Sequence, residues 1–146
     1  MSMFLILGAP GSGKSTYVEK YFGELPVLSC DEIREKHFGY KRTFEIRCKV
    51  LELLLEEIEE MFKKGEVFVV DTTYFNNRES RRILTRKVPS NKIDVVFIDK
   101  TLEECINQNL DRPPHRRISD DMIEFLFERI DRPLEQEAFH SVTNIT

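Results

Sequence analysis

The segment GAPGSGKST follows the apolar run MFLIL near the start of the chain and constrains the fold more than any other feature. It matches the pattern G-x-x-x-x-G-K-[ST], whose fixed positions are Gly8, Gly13, Lys14 and Ser15. Because Gly11 and Gly13 have no Cβ, consecutive backbone N–H groups can converge there on an anion. A helix that begins after the loop directs the positive end of its dipole to the same point. The motif therefore predicts a phosphate-binding loop between a strand and a helix.

We expect this loop to bind the triphosphate of ATP or GTP together with Mg²⁺. Lys14 would reach the β- and γ-phosphates, and the Ser15 hydroxyl would ligate Mg²⁺. Thr16 is expected to be a structural or α-phosphate contact. The predicted nucleotide-binding residues of the loop are Gly8, Gly11, Ser12, Gly13, Lys14, Ser15 and Thr16.

Four apolar runs alternate with helical patterns along the chain, at Met3–Leu7, Pro26–Ser29, Glu66–Val70 and Lys92–Ile98. This alternation predicts an α/β fold with a mostly parallel central sheet. The later two runs contain VFVV and VVFI, which are nearly continuous and typical of interior strands covered on both faces.

Two further helices are predicted. The first extends from about Phe44 to Lys64 and ends at Gly65, with an apolar stripe of Phe44, Cys48, Leu51, Leu55, Ile58 and Phe62. We interpret its many glutamates as a solvated face rather than as metal ligands or a partner surface. The second begins near Ser119, a good N-cap, and ends before Pro133.

Length and composition favour one domain spanning residues 1–146, since a hydrophobic content of 40% is enough for one core. Three separated cysteines without a C-x-x-C pair argue against a disulfide framework and favour a cytoplasmic protein. No apolar run approaches the roughly 20 residues of a membrane span, so no membrane partner is expected. The histidines lack zinc-ligand spacing.

Charge and surface pattern constrain the partners. The net charge of −4 argues against a uniformly basic surface that coats nucleic acid, while it is compatible with a local basic site. The chain shows no separate interface signature that would indicate an oligomeric state.

Acidic residues follow two of the predicted strands. Asp31 follows the second strand and Asp71 the third, at the edge where ligands of open α/β sheets bind. Arg34 lies on the same helix face as Asp31, three residues on. This pair suits an acceptor with a hydroxyl and a nearby negative charge; alternatively, Asp31 caps the helix and pairs with Arg34. Asp71 could orient Arg34, hold a metal-bound water or cap the next helix.

The segment LDRPPHRRI, residues 110–118, is predicted to be a loop that covers the site, and we call it the lid segment. Its paired prolines disfavour a helix, and its arginines are Arg112, Arg116 and Arg117. A switch or motor usually requires a longer chain. A kinase needs a positioned acceptor, a carboxylate and cations around the transferred group, so the length favours a kinase.

Four motifs in order resemble the kinase domain of the polynucleotide 5′-kinases of phage and bacterial end-healing enzymes: GAPGSGKST, SCDEIR, VVDTTYFNNRESRR and CINQNLDRPPHRRISDDMI. The resemblance covers nearly the whole chain. It implies a P-loop NTPase three-layer sandwich with a mostly parallel sheet and a short arginine-rich lid. It also implies transfer of an NTP γ-phosphate to the 5′-hydroxyl end of DNA or RNA.

The same resemblance implies a role for each matching residue. Asp31 occupies the position of the general base, Arg34 that of the arginine contacting the acceptor's phosphate, and Asp71 that of the aspartate supporting it. Arg112 matches the lid arginine over the NTP phosphates, and either Arg116 or Arg117 matches a second lid cation.

The chain departs from this family at Pro113–Pro114, which lengthens or stiffens the lid segment, and it has no Asp-rich 3′-phosphatase motif. Two rival functions stay open. One is a P-loop kinase of a small-molecule or modified-nucleotide hydroxyl. The other is a nucleotide-binding switch without phosphoryl transfer.

A basic helix face is predicted after Asp71, formed by Arg78, Arg81, Arg82, Arg86 and Lys87 and extended by Lys41 and Arg42. Near these charges, Tyr40, Tyr74 and Phe75 could stack on bases, although aromatic residues in a small α/β domain more often belong to the core. The alternative for the arginines is an ordinary solvated helix face.

Overall fold

A computed structural model describes residues 2–146 of the chain. Within this range, five parallel strands form a single sheet in the order β2-β3-β1-β4-β5. The strands are β1 (Met3–Leu7), β2 (Val27–Ser29), β3 (Phe68–Asp71), β4 (Ile93–Ile98) and β5 (Ser141–Ile145). The predicted α/β fold with a parallel sheet is confirmed, and β1, β3 and β4 are its interior strands.

Six α-helices connect and cover the strands: α1 (Lys14–Phe22), α2 (Cys30–Phe38), α3 (Phe44–Lys63), α4 (Arg78–Thr85), α5 (Leu102–Asn109) and α6 (Asp120–Glu128). Successive side chains of β1 point to opposite faces of the sheet, as the two-residue period of a strand requires. Leu5 packs in the larger core with α2, α3 and α4, whereas Ile6 packs with Val18 of α1. The sheet is therefore the middle of three layers.

The helix signals in the sequence closely predicted both ends of α3 and the start of α6, which ends at Glu128, before Pro133. Thr43 caps α3, which ends at Lys63, and Gly65 follows with the positive φ of 73° that favours glycine. The Ser119 hydroxyl accepts a hydrogen bond from the Met122 N–H at the start of α6, as predicted.

The predicted stripe of α3 was displaced by one position along part of its length. The fully buried residues are Val50, Leu54 and Ile58, while Phe44 is 80% exposed and Cys48 is exposed. Both patterns have helical spacing, so the sequence of this apolar helix allows either face. Contact with the sheet selects the face that contains Leu54.

The strand β5 lies in the tail of the chain, outside the four apolar runs of the sequence. It is mostly exposed and forms the sheet edge beside β4, with Asp94 in register with Ser141. Of the helices between residues 2 and 146, none is long and apolar enough to cross a bilayer.

The parallel register brings the chemically important loops to one edge of the sheet. Asp71 is paired with Ile6 on one side and with Ser29 on the other. The segments after these three positions therefore leave the sheet together at its carboxyl edge.

Candidate active site

The phosphate-binding loop joins β1 to α1 and is held in a strained backbone path that glycine allows. Gly11 and Gly13 have φ values of 81° and 93°, in the left-handed region. Lys14 is the first residue of α1, and its Nζ donates a 3.1 Å hydrogen bond to the Ala9 carbonyl oxygen inside the loop. Burial lowers the pKa of Lys14, while the carboxylates of Asp71 and Asp31 oppose that change.

Position 11 requires glycine for a second reason, because a Cβ there would collide with the Cys105 carbonyl oxygen of α5. Gly11→Ala is therefore expected to lower ATP affinity by at least about tenfold, or about 1.4 kcal/mol, by displacing the loop. Strain of about 1–3 kcal/mol should also lower the free energy of unfolding. Calorimetric ATP titration and thermal unfolding measure the two effects.

Gly65→Ala is the matched control. Gly65 also has a positive φ, but open space surrounds the position of its Cβ. This variant should lose stability and keep its ATP affinity. Equal ATP affinities for Gly11→Ala and the unchanged protein would contradict the close-approach argument.

Asp71 contacts the loop, not Arg34. The Ser15 hydroxyl donates a 2.8 Å hydrogen bond to Asp71 Oδ2. Asp71 does not cap α4, because the Asn77 side chain accepts the hydrogen bond from the Ser80 N–H. The sequence predicts that Ser15 ligates Mg²⁺, so this contact is compatible with a metal-bound water beside Asp71. A hydroxyl and a carboxylate side by side are the hard oxygen ligands that Mg²⁺ prefers.

Asp31 lies between two arginines in the first turn of α2. Arg34 Nη1 is 2.8 Å from its Oδ1, and Arg112 Nη2 is 3.5 Å from its Oδ2. Asp31 is not the helix cap, because Ser29 occupies that position and accepts from the Glu32 N–H. Burial alone would raise the pKa of Asp31, but the hydrogen bond from Arg34 and the arginine charges hold it below its ordinary value.

Two cavities meet beside the phosphate-binding loop. The loop cavity, of about 590 Å³, follows the phosphate-binding loop and is lined by Gly11, Ser12, Gly13, Thr16, Gln108 and Arg116 among others. The arginine cavity, of about 390 Å³, lies towards α2, α3 and α6 and is lined by Asp31, Arg34, Arg42, Arg47, Asp71 and Met122 among others. Lys14, Ser15 and Arg112 line both cavities.

Each cavity also contains a buried polar atom suited to a ligand. Ser12 is 1% exposed, and its Oγ has no hydrogen-bond partner within residues 2–146. The buried Arg34 Nε, at the wall of the arginine cavity, also has no hydrogen-bond partner within residues 2–146. Burying such a group without a partner costs free energy, so each is a candidate ligand contact.

The lid segment contains a 3₁₀ turn at Pro114–Arg116. Its base is closed by Asn109, whose amide donates to the Ile118 carbonyl oxygen at 2.7 Å and accepts from the Ile118 N–H. Arg116 lines the loop cavity, whereas Arg117 Nε donates to the Arg112 carbonyl oxygen. The geometry therefore favours Arg116 over Arg117 as the second lid cation.

Sequence reasoning missed the side chain that holds the first glycine of the loop. Asn76 accepts a 3.0 Å hydrogen bond from the Gly8 N–H and donates one of 2.8 Å to the Gly8 carbonyl oxygen. The carbonyls of Phe75 and Asn76 in turn accept from Arg81 Nη1, each at 3.1 Å. Arg81 is fully buried and forms a two-bond ion pair with Glu137. No local pattern joins Arg81 to a residue 56 positions away.

The predicted basic face of α4 was therefore wrong at Arg81, which supports the loop from inside the protein. None of the five basic residues predicted for that face lines the arginine cavity. Lys87 pairs instead with Glu59 of α3 at 3.2 Å. Of Lys41 and Arg42, which were predicted to extend this basic face, Arg42 lines the arginine cavity.

The aromatic residues divide in a similar way. Phe75 is fully buried, and Tyr74 packs against the larger core. Tyr40 is 64% exposed and stacks on His115 of the lid segment, with ring centroids 4.4 Å apart. Of these three, Tyr40 is the exposed residue, Tyr74 is partly buried and Phe75 has no accessible surface.

A protein-family model described as an AAA domain matches residues 3–136, most of the chain. No curated protein matches the chain by sequence.

Several solved structures share the fold. A sugar kinase from Janibacter sp. HTCC2649 has a TM-score of 0.70 at 19% identity, over 99% of this chain and 85% of that one. Kti12 from Chaetomium thermophilum, solved with ADP-AlF3, has a TM-score of 0.70 at 14% identity, over 99% and 88% of the two chains.

A chain of the Pnkp1/Rnl/Hen1 RNA repair complex has a TM-score of 0.72 at 20% identity, over 88% of this chain. The match covers 43% of that chain, so this protein corresponds to less than half of it. At such identities these similarities show the fold, that of the P-loop NTPases.

Proposed function

Since this chain belongs to the AAA domain family and has the P-loop NTPase fold, we propose that it is a kinase that transfers the γ-phosphate of ATP or GTP to a hydroxyl. The finer proposal is that the hydroxyl is the 5′ end of a DNA or RNA strand. The observation that supports the kinase most strongly is the meeting of two cavities at Lys14, Ser15 and Arg112. A switch needs one nucleotide cavity, whereas a transferase needs a second for its acceptor.

In this proposal the loop cavity binds the NTP. Backbone N–H groups of the loop and the N-terminus of α1 contact the phosphates, and Lys14 supplies a charge beside the γ-phosphate. Ser15 and Asp71 would hold Mg²⁺, directly or through a water, and their oxygens suit that ion. The ion would supply positive charge that neutralises the negative charge developing during phosphoryl transfer.

Asp31 is proposed as the general base in the arginine cavity. As the acceptor oxygen bonds to the γ-phosphorus, its proton passes to Asp31, the bond from the phosphorus to the β-phosphate oxygen breaks, and the nucleoside diphosphate leaves. Arg112, which touches Asp31 and lines both cavities, is placed to stabilise charge on the transferring group.

The basic wall of the arginine cavity supports an anionic acceptor. Arg34, Arg42 and Arg47 line this wall, and Arg42 and Arg47 reach the protein surface. A phosphodiester strand carries a phosphate next to its 5′ nucleoside, which these cations would contact. The exposed ring of Tyr40 would offer a stacking surface for a base.

A small-molecule acceptor is the second candidate, because the Janibacter sugar kinase matches this fold over 85% of its own length. A cavity of about 390 Å³ is large enough for a monosaccharide or a nucleoside. The arginines distinguish the candidates, since a neutral sugar does not require three cations in its wall.

The test supplies γ-labelled ATP and Mg²⁺ with 5′-hydroxyl DNA, 5′-hydroxyl RNA, nucleosides, nucleotides and sugars as acceptors. Label on an oligonucleotide 5′ end, lost in Lys14→Ala, supports the finer proposal. Label only on a small compound replaces it with the second candidate. ATP binding without transfer to any acceptor would leave the switch as the better hypothesis.

Arg47→Ala is expected to raise the KM for a 5′-hydroxyl oligonucleotide by about 5–20-fold, because one charge-assisted phosphate contact is lost. The KM for ATP should stay the same, since Arg47 does not line the loop cavity. Arg86→Ala, which removes an exposed arginine that lines neither cavity, is the control. Equal acceptor KM values for the two variants would contradict the anionic-acceptor proposal.

A further inference from the structure

Two acidic residues of α2 face two arginines of the lid segment with the same spacing. Asp31 and Glu35 lie one helical turn apart, and Arg112 and Arg116 are also four residues apart. Asp31 contacts Arg112, and Glu35 contacts Arg116. The helix that carries the proposed base is therefore joined twice to the segment that covers the nucleotide.

The pair of Glu35 and Arg116 is the more closely bonded of the two. Arg116 Nε lies 2.9 Å from Glu35 Oε2, and Arg116 Nη2 lies 3.1 Å from Glu35 Oε1. This two-bond geometry fixes the plane of the guanidinium. Arg116 Nη1 takes no part in the pair, and Arg116 lines the loop cavity. Arg116 can therefore keep Glu35 and still present donors to a phosphate.

Neighbouring contacts reinforce this connection. His115 Nε2 lies 3.6 Å from Glu35 Oε2, and the His115 ring stacks on Tyr40. Arg42 donates a 3.3 Å hydrogen bond to the His115 carbonyl oxygen. The hydrogen bond from Arg116 holds the pKa of Glu35 below its ordinary value, so Glu35 is ionised at neutral pH.

An ordinary surface ion pair is a poor description of this contact. Isolated exposed pairs contribute little, because water screens them and two long side chains lose freedom. Here the Arg116 and Glu35 side chains are 23% and 25% exposed, and they join segments 81 residues apart in the sequence. Besides stabilising the fold, such a contact fixes the orientation of the Arg116 guanidinium.

We propose that Glu35 is a positioning residue that orients Arg116 over the loop cavity for the NTP phosphates, which couples α2 to the lid segment. The proposal rests on the proposed function only in requiring that the loop cavity binds NTP. Removing the carboxylate while keeping the shape of the side chain leaves Arg116 without a fixed orientation.

The experiment compares ATP affinity by calorimetry and steady-state kinetics for Glu35→Gln, Arg116→Ala and the double variant. Glu35→Gln should weaken ATP binding and raise the KM for ATP by about 5–20-fold, with kcat at saturating ATP nearly unchanged. The double variant should bind no more weakly than Arg116→Ala, because Glu35 acts through Arg116. Glu35→Asp, which keeps the charge, should recover part of the affinity.

Glu32→Gln is the matched control, since Glu32 is an exposed carboxylate on the same helix. It should bind ATP like the unchanged protein. Thermal unfolding of every variant distinguishes a changed orientation of Arg116 from a loss of folded protein. Unchanged or tighter ATP binding by Glu35→Gln overturns the proposal, and tighter binding would mean that Glu35 competes with phosphate for Arg116. If the unchanged protein and Lys14→Ala both fail to bind ATP, the proposed function fails as well.

Discussion

Asp31→Asn should reduce phosphoryl transfer by about 10²–10⁴-fold, the usual contribution of a general base. Asparagine keeps the size of the side chain but cannot accept the proton of the acceptor hydroxyl. ATP affinity should be equal or somewhat higher, because Arg112 loses its carboxylate partner and is free to meet phosphate. Single-turnover transfer and calorimetric ATP binding measure the two effects separately.

Asp121→Asn is a control for this variant, since Asp121 is exposed in the first turn of α6 and does not line the arginine cavity. It should transfer phosphate normally. An Asp31→Asn protein with undiminished turnover would remove Asp31 from the proposed mechanism.

The lowered pKa of Asp31 also predicts how kcat/KM for phosphoryl transfer depends on pH. A base works in its ionised form, so its activity is lost as pH falls through the pKa of the folded protein. Because the arginines hold that pKa below the ordinary aspartate value of about 3.9, protonation of Asp31 should not limit kcat/KM anywhere above about pH 5. An acidic limb near pH 6 in Asp31-dependent transfer would contradict this assignment.

Glu137→Ala is expected to lower the free energy of unfolding by about 3–5 kcal/mol, because it leaves the charge of Arg81 buried without its partner. Arg81 is fully buried, and Glu137 is its only carboxylate contact within the described residues. The loss should extend to nucleotide affinity, since Arg81 supports the carbonyl of Asn76 and Asn76 holds Gly8. Denaturant unfolding and ATP titration measure both effects.

Two further variants test the cause. Glu135→Ala removes an exposed carboxylate from the same 3₁₀ turn and should change stability little. Arg81→Met combined with Glu137→Leu removes both charges, and it should be more stable than Glu137→Ala alone. A double variant as unstable as the single one would show that the orphaned charge is not the cause.

The same pair predicts a loss of stability in acid. Burial raises the pKa of Glu137, but the hydrogen bond and charge of Arg81 bring it below its ordinary value of about 4.3. A carboxyl with a lowered pKa in the folded state stabilises the protein above the unfolded-state pKa. That contribution should disappear as pH falls from about 4.3 through the folded-state pKa, and Glu137→Ala should lack this part of the acid transition.

Local patterns predicted the fold well because they have local causes. Nearly continuous apolar runs predicted the interior strands, and Ser119 and Gly65 marked helix ends through hydrogen bonds and φ angles a few residues away. The apolar face of α3 was predicted less well, since several helical stripes fit its sequence and contact with the sheet chose one.

In the candidate site, too, the features with local causes were predictable from the sequence, and the long-range contacts were not. The sequence by itself determined the phosphate-binding loop, because glycine conformation, helix dipole and lysine position all lie within nine residues, Gly8 to Thr16. It also indicated Asp31 and Asp71 as sheet-edge carboxylates, whose catalytic roles stay proposals. Only the tertiary structure decided that Asp71 contacts Ser15, that Arg81 is buried against Glu137 and that Glu35 holds Arg116. These contacts join positions 56 to 81 residues apart, and their partners are set by strand register and helix packing, which no local pattern encodes.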